Sequence, residues 1–229
     1  MSGNMQSNYL KTSGYVLRRT NYGEADRILN IITPIGKISA IAKGARREKS
    51  KLAGGIEMFS LVDLNIHKGR GEIGIITSAK MVKFYSEIMK DLNLMEIGSS
   101  FLKKIDRVAG DSETEDYFNL VHQSLDALNT KGDARLVEAW FLLNIARIMG
   151  EEINLYRDNN DKKLEAGRRY DWDYMEACFV NKDNGRFGED EIKVLRLMMT
   201  NKMNIIKKIK LNDEIVGKVF ELVRGTCKI

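Results

Sequence analysis

The spacing of hydrophobic residues changes near residue 80 and divides the chain into two parts. Up to that point, short segments rich in β-branched residues are separated by turn signals such as Asn21-Tyr22-Gly23 and Pro34-Ile35-Gly36. In one segment Val62, Leu64 and Ile66 alternate with polar residues, which is the period of a strand with one buried face. The sequence therefore predicts five strands, at residues 14–20, 25–33, 36–44, 59–67 and 72–79.

Five short strands, with a longer interruption between the third and the fourth, are typical of a small closed barrel of the OB type. Beyond residue 80 the apolar spacing becomes helical, as at Leu136 and Trp140 before Gly150, a residue that commonly ends a helix. We interpret these stripes as a helical core. The predicted fold class is α+β and multidomain, with an OB-fold barrel over residues 1–80, a loose tail at 1–12, and an all-α helical domain over 81–229 that has an irregular segment near 151–187.

The composition limits the class of protein. Hydrophobic residues make up 43% and charged residues 30% of the chain, as in soluble globular proteins. The sequence has no apolar run near the ~20 residues that cross a bilayer, and its first residues lack the apolar core of a secretory signal. Cys178 and Cys227 are not spaced as a pair, so no disulfide framework is expected. We therefore expect a cytoplasmic protein without a membrane partner.

Positive charge is concentrated in the predicted barrel. Residues 1–83 contain 14 Lys and Arg against 6 Asp and Glu, a net charge of +8, whereas residues 84–229 contain 23 against 26, a net charge of −3. Such an uneven field favours a polyanionic partner, and nucleic acid is the most common one.

The stretch from Lys43 to Lys51, KGARREKSK, carries five cations and a single acid, Glu48. Basic runs are often only solvated surface. Here Gly44 and Ala45 are small enough for close approach to a phosphate backbone, and arginine forks match phosphate oxygens. The stretch also joins two predicted strands of the basic part. These features favour nucleic-acid contacts by the cations of the stretch, Lys43, Arg46, Arg47, Lys49 and Lys51.

Two further loops are candidate binding elements, because OB barrels bind single strands between the loops that join strands one to two and four to five. Tyr22 in the first loop is a candidate for base stacking, and Lys68 and Arg70 in the second for phosphates. Tyr22 is equally compatible with packing on the barrel rim, and the two cations with an ordinary hairpin. One stacked ring contributes only ~1–3 kcal/mol. Charge neutralisation is therefore expected to dominate the affinity, and sequence specificity to be low.

Residues 14–80 resemble the N-terminal OB domain of the bacterial RecO family of recombinational DNA repair proteins. The resemblance rests on short motifs in a fixed order: Tyr22-Gly23-Glu24 with Asp26-Arg27, Thr33-Pro34 with Gly36-Lys37, and Lys43-Gly44-Ala45-Arg46-Arg47 with Ser50. It implies an OB barrel followed by a helical domain, binding of single- and double-stranded DNA, annealing of complementary strands, and no enzymatic activity or cofactor.

The resemblance also implies partners and a place of action. These are RecR, the acidic C-terminal tail of single-strand binding protein and, indirectly, the recombinase RecA, which is loaded onto DNA coated by that protein. The place is the bacterial cytoplasm, at the nucleoid during repair. Arg27 and Lys37 are expected to join the five cations of the 43–51 stretch as phosphate contacts, with Tyr22, Lys68 and Arg70 as further contacts. Turns that present these residues are expected at Gly23, Gly36 and Gly44.

The helical part departs from one pattern of the family. Many members carry four cysteines as a zinc site after the helix that corresponds to residues 134–150, and this region contains only Cys178. Because tetrahedral structural zinc needs four ligands, no metal is predicted. The rings expected to hold the segment by packing against helices are Tyr170, Trp172 and Tyr174. A second DNA or partner contact is left open at Arg168 and Arg169.

Two alternative functions were weighed. One is an OB-type RNA-binding protein with a helical protein-interaction domain. Comparing the affinities for single-stranded DNA and RNA of matched length would distinguish it from a DNA-binding protein. The other is enzymatic. His67 and His122, the two histidines, lie where ordinary surface roles are expected, so a nucleophilic triad has little support. Asp171, Asp173 and Glu176 suggest a metal-dependent nuclease, although acids in a polar loop are usually only surface residues.

Overall fold

The computed structural model describes residues 8–68, 71, 73–110 and 115–227. By compactness the chain divides into two units, residues 1–125 and 126–229. The first helices after the barrel therefore belong to the first unit. The boundary predicted at residue 80 follows the change of hydrophobic period and stays a prediction.

The first unit starts with five strands. These are β1 (Tyr9–Tyr22), β2 (Asp26–Thr33), β3 (Gly36–Ala42), β4 (Ser60–His67) and β5 (Gly74–Phe84). They close into a barrel in the order β1-β2-β3-β5-β4, with antiparallel pairing except for the parallel pair β3–β5. This confirms the predicted barrel. Because Tyr9 of β1 already pairs with His67 of β4, residues 9–12 form strand and not the loose tail that was expected.

The barrel core contains the residues that the alternation of β4 placed there. Val62, Leu64 and Ile66 are buried together with Leu29 and Ile31 of β2. Close packing also fixes one glycine of the β3–β4 connection. A Cβ atom on Gly55 would lie 2.3 Å from the backbone oxygen of Ala79, so no side chain fits there. Alternation thus selects the buried face of each strand, while close backbone approach limits the residues between strands.

Three helices follow the barrel: α1 (Ser86–Met89), α2 (Leu92–Val108) and α3 (Glu115–Leu128). The carboxylate of Asp91 caps α2 by accepting the N–H groups of Asn93 and Leu94 at 2.9 and 3.1 Å. Helix α2 packs against β1, and near its end the Asp106 carboxylate pairs with Arg18 of the barrel at 3.0 Å. It also accepts the side-chain N–H of Asn30 at 2.7 Å. These bonds fix the end of α2 to β1 and β2.

A second polar contact inside the first unit corrects one expectation. His122 of α3 is half-buried, and its Nδ1 lies 2.6 Å from the hydroxyl of the buried Tyr15. That hydroxyl also lies 2.8 Å from the hydroxyl of Tyr85. His122 is therefore not an ordinary surface residue, since it bonds a buried tyrosine of β1. The helical period showed where His122 lies along α3, but not which strand faces it.

The second unit is mainly helical, as predicted. Its elements are α4 (Ala134–Ile148), β6 (Tyr170–Asp173), β7 (Cys178–Asn181), α5 (Glu189–Thr200), α6 (Met203–Ile206) and α7 (Asp213–Thr226). Helix α4 is its central element, because most of its residues are buried. The strands β6 and β7 form a two-stranded sheet within the segment expected to be irregular. Each strand has four residues, too few to show a period in the sequence. Within the described ranges, every helix is too short or too polar to span a bilayer.

An aromatic cluster holds this small sheet. Phe179 of β7 contacts three rings edge-on, with centroid distances of 6.1 Å to Tyr170, 4.8 Å to Trp172 and 6.0 Å to Phe187. Tyr170 and Trp172 are 2% and 6% exposed, so these two rings are buried as expected, and the contact described here is with Phe179 of the sheet. Tyr174 is 47% exposed and lies over α7, where a Cβ atom on Gly225 would come within 2.4 Å of its ring. Buried rings therefore stabilise the segment.

Helix α5 begins with a buried carboxylate. Glu191 accepts the backbone N–H of Gly188 at 2.9 Å and pairs with the ammonium group of Lys218 on α7 at 3.1 Å. Burial raises the pKa of Glu191, but hydrogen bonds from the backbone of Gly188 and Glu191 and from Lys218 outweigh it, so that the pKa lies below its ordinary value. The charged form of Glu191 therefore stabilises the folded second unit.

We expect Glu191→Ala to lower the free energy of unfolding by about 1–3 kcal/mol at neutral pH, because it removes a bonded carboxylate and leaves a buried N–H group without an acceptor. Since the folded pKa is depressed, the stabilisation by Glu191 is present above the unfolded pKa of about 4.3 and is lost as the pH falls through the folded pKa. Urea unfolding near pH 7 and near pH 3 should thus show a smaller difference between wild type and Glu191→Gln at the acidic pH. The control is Glu189→Gln, an exposed position on the same helix. An equal gap between wild type and Glu191→Gln at both pH values would contradict the expectation.

Candidate nucleic-acid interface

The stretch of residues 43–51, called here the basic loop, leaves the end of β3 as a series of turns. Ala45 is 3% exposed and belongs to the barrel core. Gly44 has a φ of +65°, in the left-handed region that favours glycine. Backbone N–H groups of Arg47 and Ser50 donate to the carbonyl groups of Gly44 and Arg47 at 3.1 and 3.0 Å. The basic loop is therefore anchored in the core and bonded internally.

The basic loop is also bonded to the turn between β1 and β2. The carboxylate of Asp26 accepts the backbone N–H of Gly44 at 2.7 Å, and the carbonyl of Ala25 accepts that of Arg46 at 2.8 Å. The guanidinium group of Arg46 donates to the carbonyl of Glu24. Tyr22 pairs with Asp26 across this turn and is 55% exposed. The structure thus places the exposed ring of Tyr22 on the turn that holds the basic loop.

The cations of the basic loop differ from other cations of the barrel. In the first unit, Arg18 pairs with Asp106 and Arg19 with Glu57, at 3.0 and 2.8 Å. The loop cations are exposed, and within the described residues they form no ion pair; they are Lys43, Arg46, Arg47, Lys49 and Lys51. Their charge is therefore not neutralised by protein carboxylates and is available to an external anion.

The other predicted contacts lie at different places on the barrel. Arg27, half-buried on β2, is the register partner of Ala42, the residue before the basic loop. Lys37 lies at the opposite end of β3, and its ammonium group donates to the backbone oxygen of Asp106 at 2.8 Å. Lys68 is exposed after β4, and its backbone N–H donates to the carbonyl of Asn8 at 2.7 Å. Arg70 lies outside the described residues. All of these contacts stay predictions.

The predicted turn glycines have the expected backbone conformation. Gly23, Gly36 and Gly44 all have positive φ values. Asp26 belongs to a motif of the resemblance, but no sequence pattern connects it with Gly44, eighteen residues further on. A side-chain acceptor for a distant backbone N–H leaves no pattern in a single sequence.

The acids weighed for a nuclease site are used in local hydrogen bonds. Asp171 pairs with Lys182 at 2.7 Å and accepts the backbone N–H of Arg186 at 2.9 Å, and the bond from Lys182 is the main reason why its pKa is lowered. Asp173 accepts the N–H groups of Met175 and Glu176. Across the described ranges, the structure holds no group of three His, Cys, Asp or Glu side chains that could hold a metal ion. The acids thus order the 171–186 region.

The region for which the resemblance raised the question of a zinc site offers one cysteine in this chain. Cys178 is the one cysteine of the region, and burial, followed by the charges of Asp173 and Glu176, raises the pKa of its thiol. A raised pKa opposes the thiolate form that zinc requires.

The two arginines considered for a second DNA or partner contact have partners within the protein. Arg168 pairs with Glu165 at 2.6 Å, and Arg169 donates to the carbonyl of Gly185 at 2.6 Å.

The second unit has a concave surface that the sequence analysis missed. The lining of a cavity of about 310 Å³, called here the lysine-rimmed cavity, includes the buried apolar side chains of Leu136, Val137 and Met203. Lys131 and Lys207 also line it and are exposed. A signal existed in the sequence, because residues 192–212 contain six Lys and Arg and no acid. Only the folded chain shows that Lys207 of this stretch lies at the cavity.

Two acids at this cavity are held by one arginine. The guanidinium group of Arg135 lies 2.6 Å from the carboxylate of Asp133 and 2.5 Å from that of Asp213. The hydrogen bond from Arg135 lowers the pKa of Asp133, although burial partly opposes it, and the same bonds raise the pKa of Arg135. These acids are therefore paired within the protein, whereas Lys131 has no ion pair within the described residues and Lys207 donates to the Thr130 hydroxyl.

Comparison with known proteins agrees with this architecture. A family model described as "Recombination protein O N terminal" matches residues 5–85, and one described as "Recombination protein O C terminal" matches residues 89–228. The chain is 26% identical over 226 residues to a DNA repair protein RecO of Dehalococcoides mccartyi, covering 95% of this chain and 89% of that protein. It is 35% identical over 143 residues to a DNA repair protein RecO of Rubrobacter xylanophilus, covering 61% of this chain and 57% of that protein.

The barrel, the helical unit and these matches define a two-part protein of DNA repair and recombination. The chain belongs to the RecO family.

Proposed function

We propose that this RecO-family chain is a DNA-binding mediator of recombinational repair that acts without catalysis. Single- and double-stranded DNA bind at the basic loop, and phosphates are the main groups contacted. The single observation that supports this most is the set of five exposed cations that have no ion pair within the described residues. Arg27 and Tyr22 extend the contact area next to the basic loop. Lys37, Lys68 and Arg70 are further proposed phosphate contacts.

Annealing follows from charge neutralisation. Two complementary strands repel each other through their phosphates, and a basic surface that binds both lowers this repulsion without any bond being broken. Because phosphates carry no sequence information, binding is expected to be independent of sequence. One exposed tyrosine adds a stacking surface but no base code.

The mediator acts with partners in this proposal. It contacts RecR and the acidic C-terminal tail of single-strand binding protein, and it thereby helps RecA load onto coated DNA in the bacterial cytoplasm, at the nucleoid. The lysine-rimmed cavity supports contact with the tail. Its apolar lining suits an apolar side chain of a peptide, and Lys131 and Lys207 complement acidic residues.

The basic loop can be tested through the salt dependence of DNA binding. We expect the double substitution Arg46→Ala and Arg47→Ala to weaken binding of single-stranded oligonucleotides of any sequence. The slope of log affinity against log salt should fall by about 1.4, because each phosphate contact to a single strand contributes ~0.7. The control is Lys162→Ala with Lys163→Ala, which removes two exposed charges from the second unit. A slope that changes equally in both double variants would place the DNA site elsewhere.

The proposed activity can be tested by annealing. Complementary oligonucleotides coated with the cognate single-strand binding protein should form duplex faster with this chain than without it, in the absence of any nucleotide. The measurement is duplex formation over time, followed by fluorescence of end-labelled strands. The variant with Arg46→Ala and Arg47→Ala should lose most of the acceleration, because the repulsion between strands is no longer neutralised. An unchanged rate with the wild-type chain would reject the function.

Contact of the tail with the lysine-rimmed cavity predicts a separate loss. We expect Lys131→Ala with Lys207→Ala to weaken binding of a peptide with the tail sequence by roughly tenfold, because two charge complements are removed. Binding of naked oligonucleotides should be unaffected. Fluorescence anisotropy of a labelled peptide measures the affinity for the tail. The variant with Lys162→Ala and Lys163→Ala is again the matched control. Equal peptide affinity in all three proteins would show that the tail binds another surface.

A further inference from the structure

An acid lies at the centre of the basic surface, and phosphate binding alone does not explain it. Asp26 is the first residue of β2, and it is bonded to Gly44, the residue after Lys43. A carboxylate near cations reduces the local positive potential and therefore opposes attraction of phosphates. A residue type that weakens the proposed interaction electrostatically needs another reason at this position.

The hydrogen bonds show that reason. Residues 24–26 accept three hydrogen bonds from the basic loop: Glu24 and Ala25 through backbone carbonyl groups, and Asp26 through its side chain. Any residue can supply a backbone carbonyl group. The bond to the Gly44 N–H, at 2.7 Å, depends on a side chain with an oxygen acceptor of the right length.

The position of this bond gives it a large effect on the loop. Gly44 has a φ of +65°, and the side chain of Arg47 lies over it, since a Cβ atom at Gly44 would be 3.5 Å from the Arg47 Cδ. The carbonyl of Gly44 in turn accepts the N–H of Arg47 at 3.1 Å. Fixing the peptide group of Gly44 therefore fixes the start of the turns that carry Arg46 and Arg47.

We propose that Asp26 is a positioning residue of the DNA-binding surface, whose carboxylate oxygen holds Gly44 and so orders the cations of the basic loop for phosphate contact. This rests on the proposed function of the basic loop. Ordering the loop before binding means that less conformational freedom is lost when DNA binds. The gain in order outweighs the unfavourable charge of the carboxylate.

Two neutral variants separate the hydrogen bond from the charge. Asp26→Ala and Asp26→Asn both remove one negative charge, but only asparagine keeps an oxygen acceptor. We expect Asp26→Ala to weaken single-stranded DNA binding by about three- to tenfold in spite of the more positive net charge. The slope of log affinity against log salt should fall by less than the ~0.7 that one phosphate contact contributes. Asp26→Asn should bind at least as tightly as wild type, with the same slope.

The outcomes are distinct. A purely electrostatic effect would strengthen DNA binding equally in both Asp26 variants. A purely structural effect would lower the melting temperature without changing the salt slope. Either result overturns the inference, as would equal weakening of DNA binding in the two variants. Thermal melting of each variant shows that the proteins compared are folded. Gly44→Ala, which places a side chain at a positive φ, should reproduce the weaker binding and flatter slope of Asp26→Ala.

The Arg46→Ala and Arg47→Ala protein separates failure of this inference from failure of the proposed site. If that protein loses DNA affinity while the Asp26 variants match each other, only the positioning by Asp26 is wrong. If that protein binds like wild type, the basic loop itself is not the site.

Discussion

The proposed DNA surface depends on a small apolar residue, Ala45, being buried in the barrel core within a stretch of cations. Burying an unpaired ammonium or guanidinium group costs far more free energy than burying a methyl group gains, so the charged neighbours must remain in water while Ala45 enters the core. The chain meets both demands with a tight series of turns that begins at Gly44. Positive charge is thereby held close to a rigid barrel and not on a free tail.

Cations of the first unit fall into two groups with different consequences. Arg18 and Lys37 bond to Asp106 at the end of α2, where they join the helix to the barrel. Those of the basic loop form no ion pair within the described residues. One unit thus uses some lysine and arginine residues for its own stability and keeps others for the proposed contact with DNA. A partly exposed ion pair such as Arg18–Asp106 contributes little free energy by itself, and the hydrogen bond from Lys37 adds a second link between the end of α2 and the barrel.

The second unit contains a short hairpin that needs support from side chains. A hairpin of two four-residue strands is too short to be stable by itself. Here, Phe179 packs edge-on against three rings, and Asp171 bonds to Lys182 and Arg186 in the segment after β7. Aromatic burial and local carboxylate bonds thus provide the cross-links. The pair of the buried Glu191 and the half-buried Lys218 joins α5 to α7 in the same unit.

The sequence by itself determined the strands, most helices, the concentration of charge and the family, because alternation, helical spacing and short motifs are local properties of the chain. It could not show the β6–β7 hairpin, the bond between His122 and Tyr15, or the cavity between Lys131 and Lys207, since each joins residues that are distant in sequence or too few to form a pattern. The sequence also could not show that Lys37 and Lys43 have different surroundings, because both are lysines of the same basic part of the chain. Only the tertiary structure decided which cations bond to the end of α2 and which have no ion pair in the described residues, because that depends on distances of a few ångströms between separate elements.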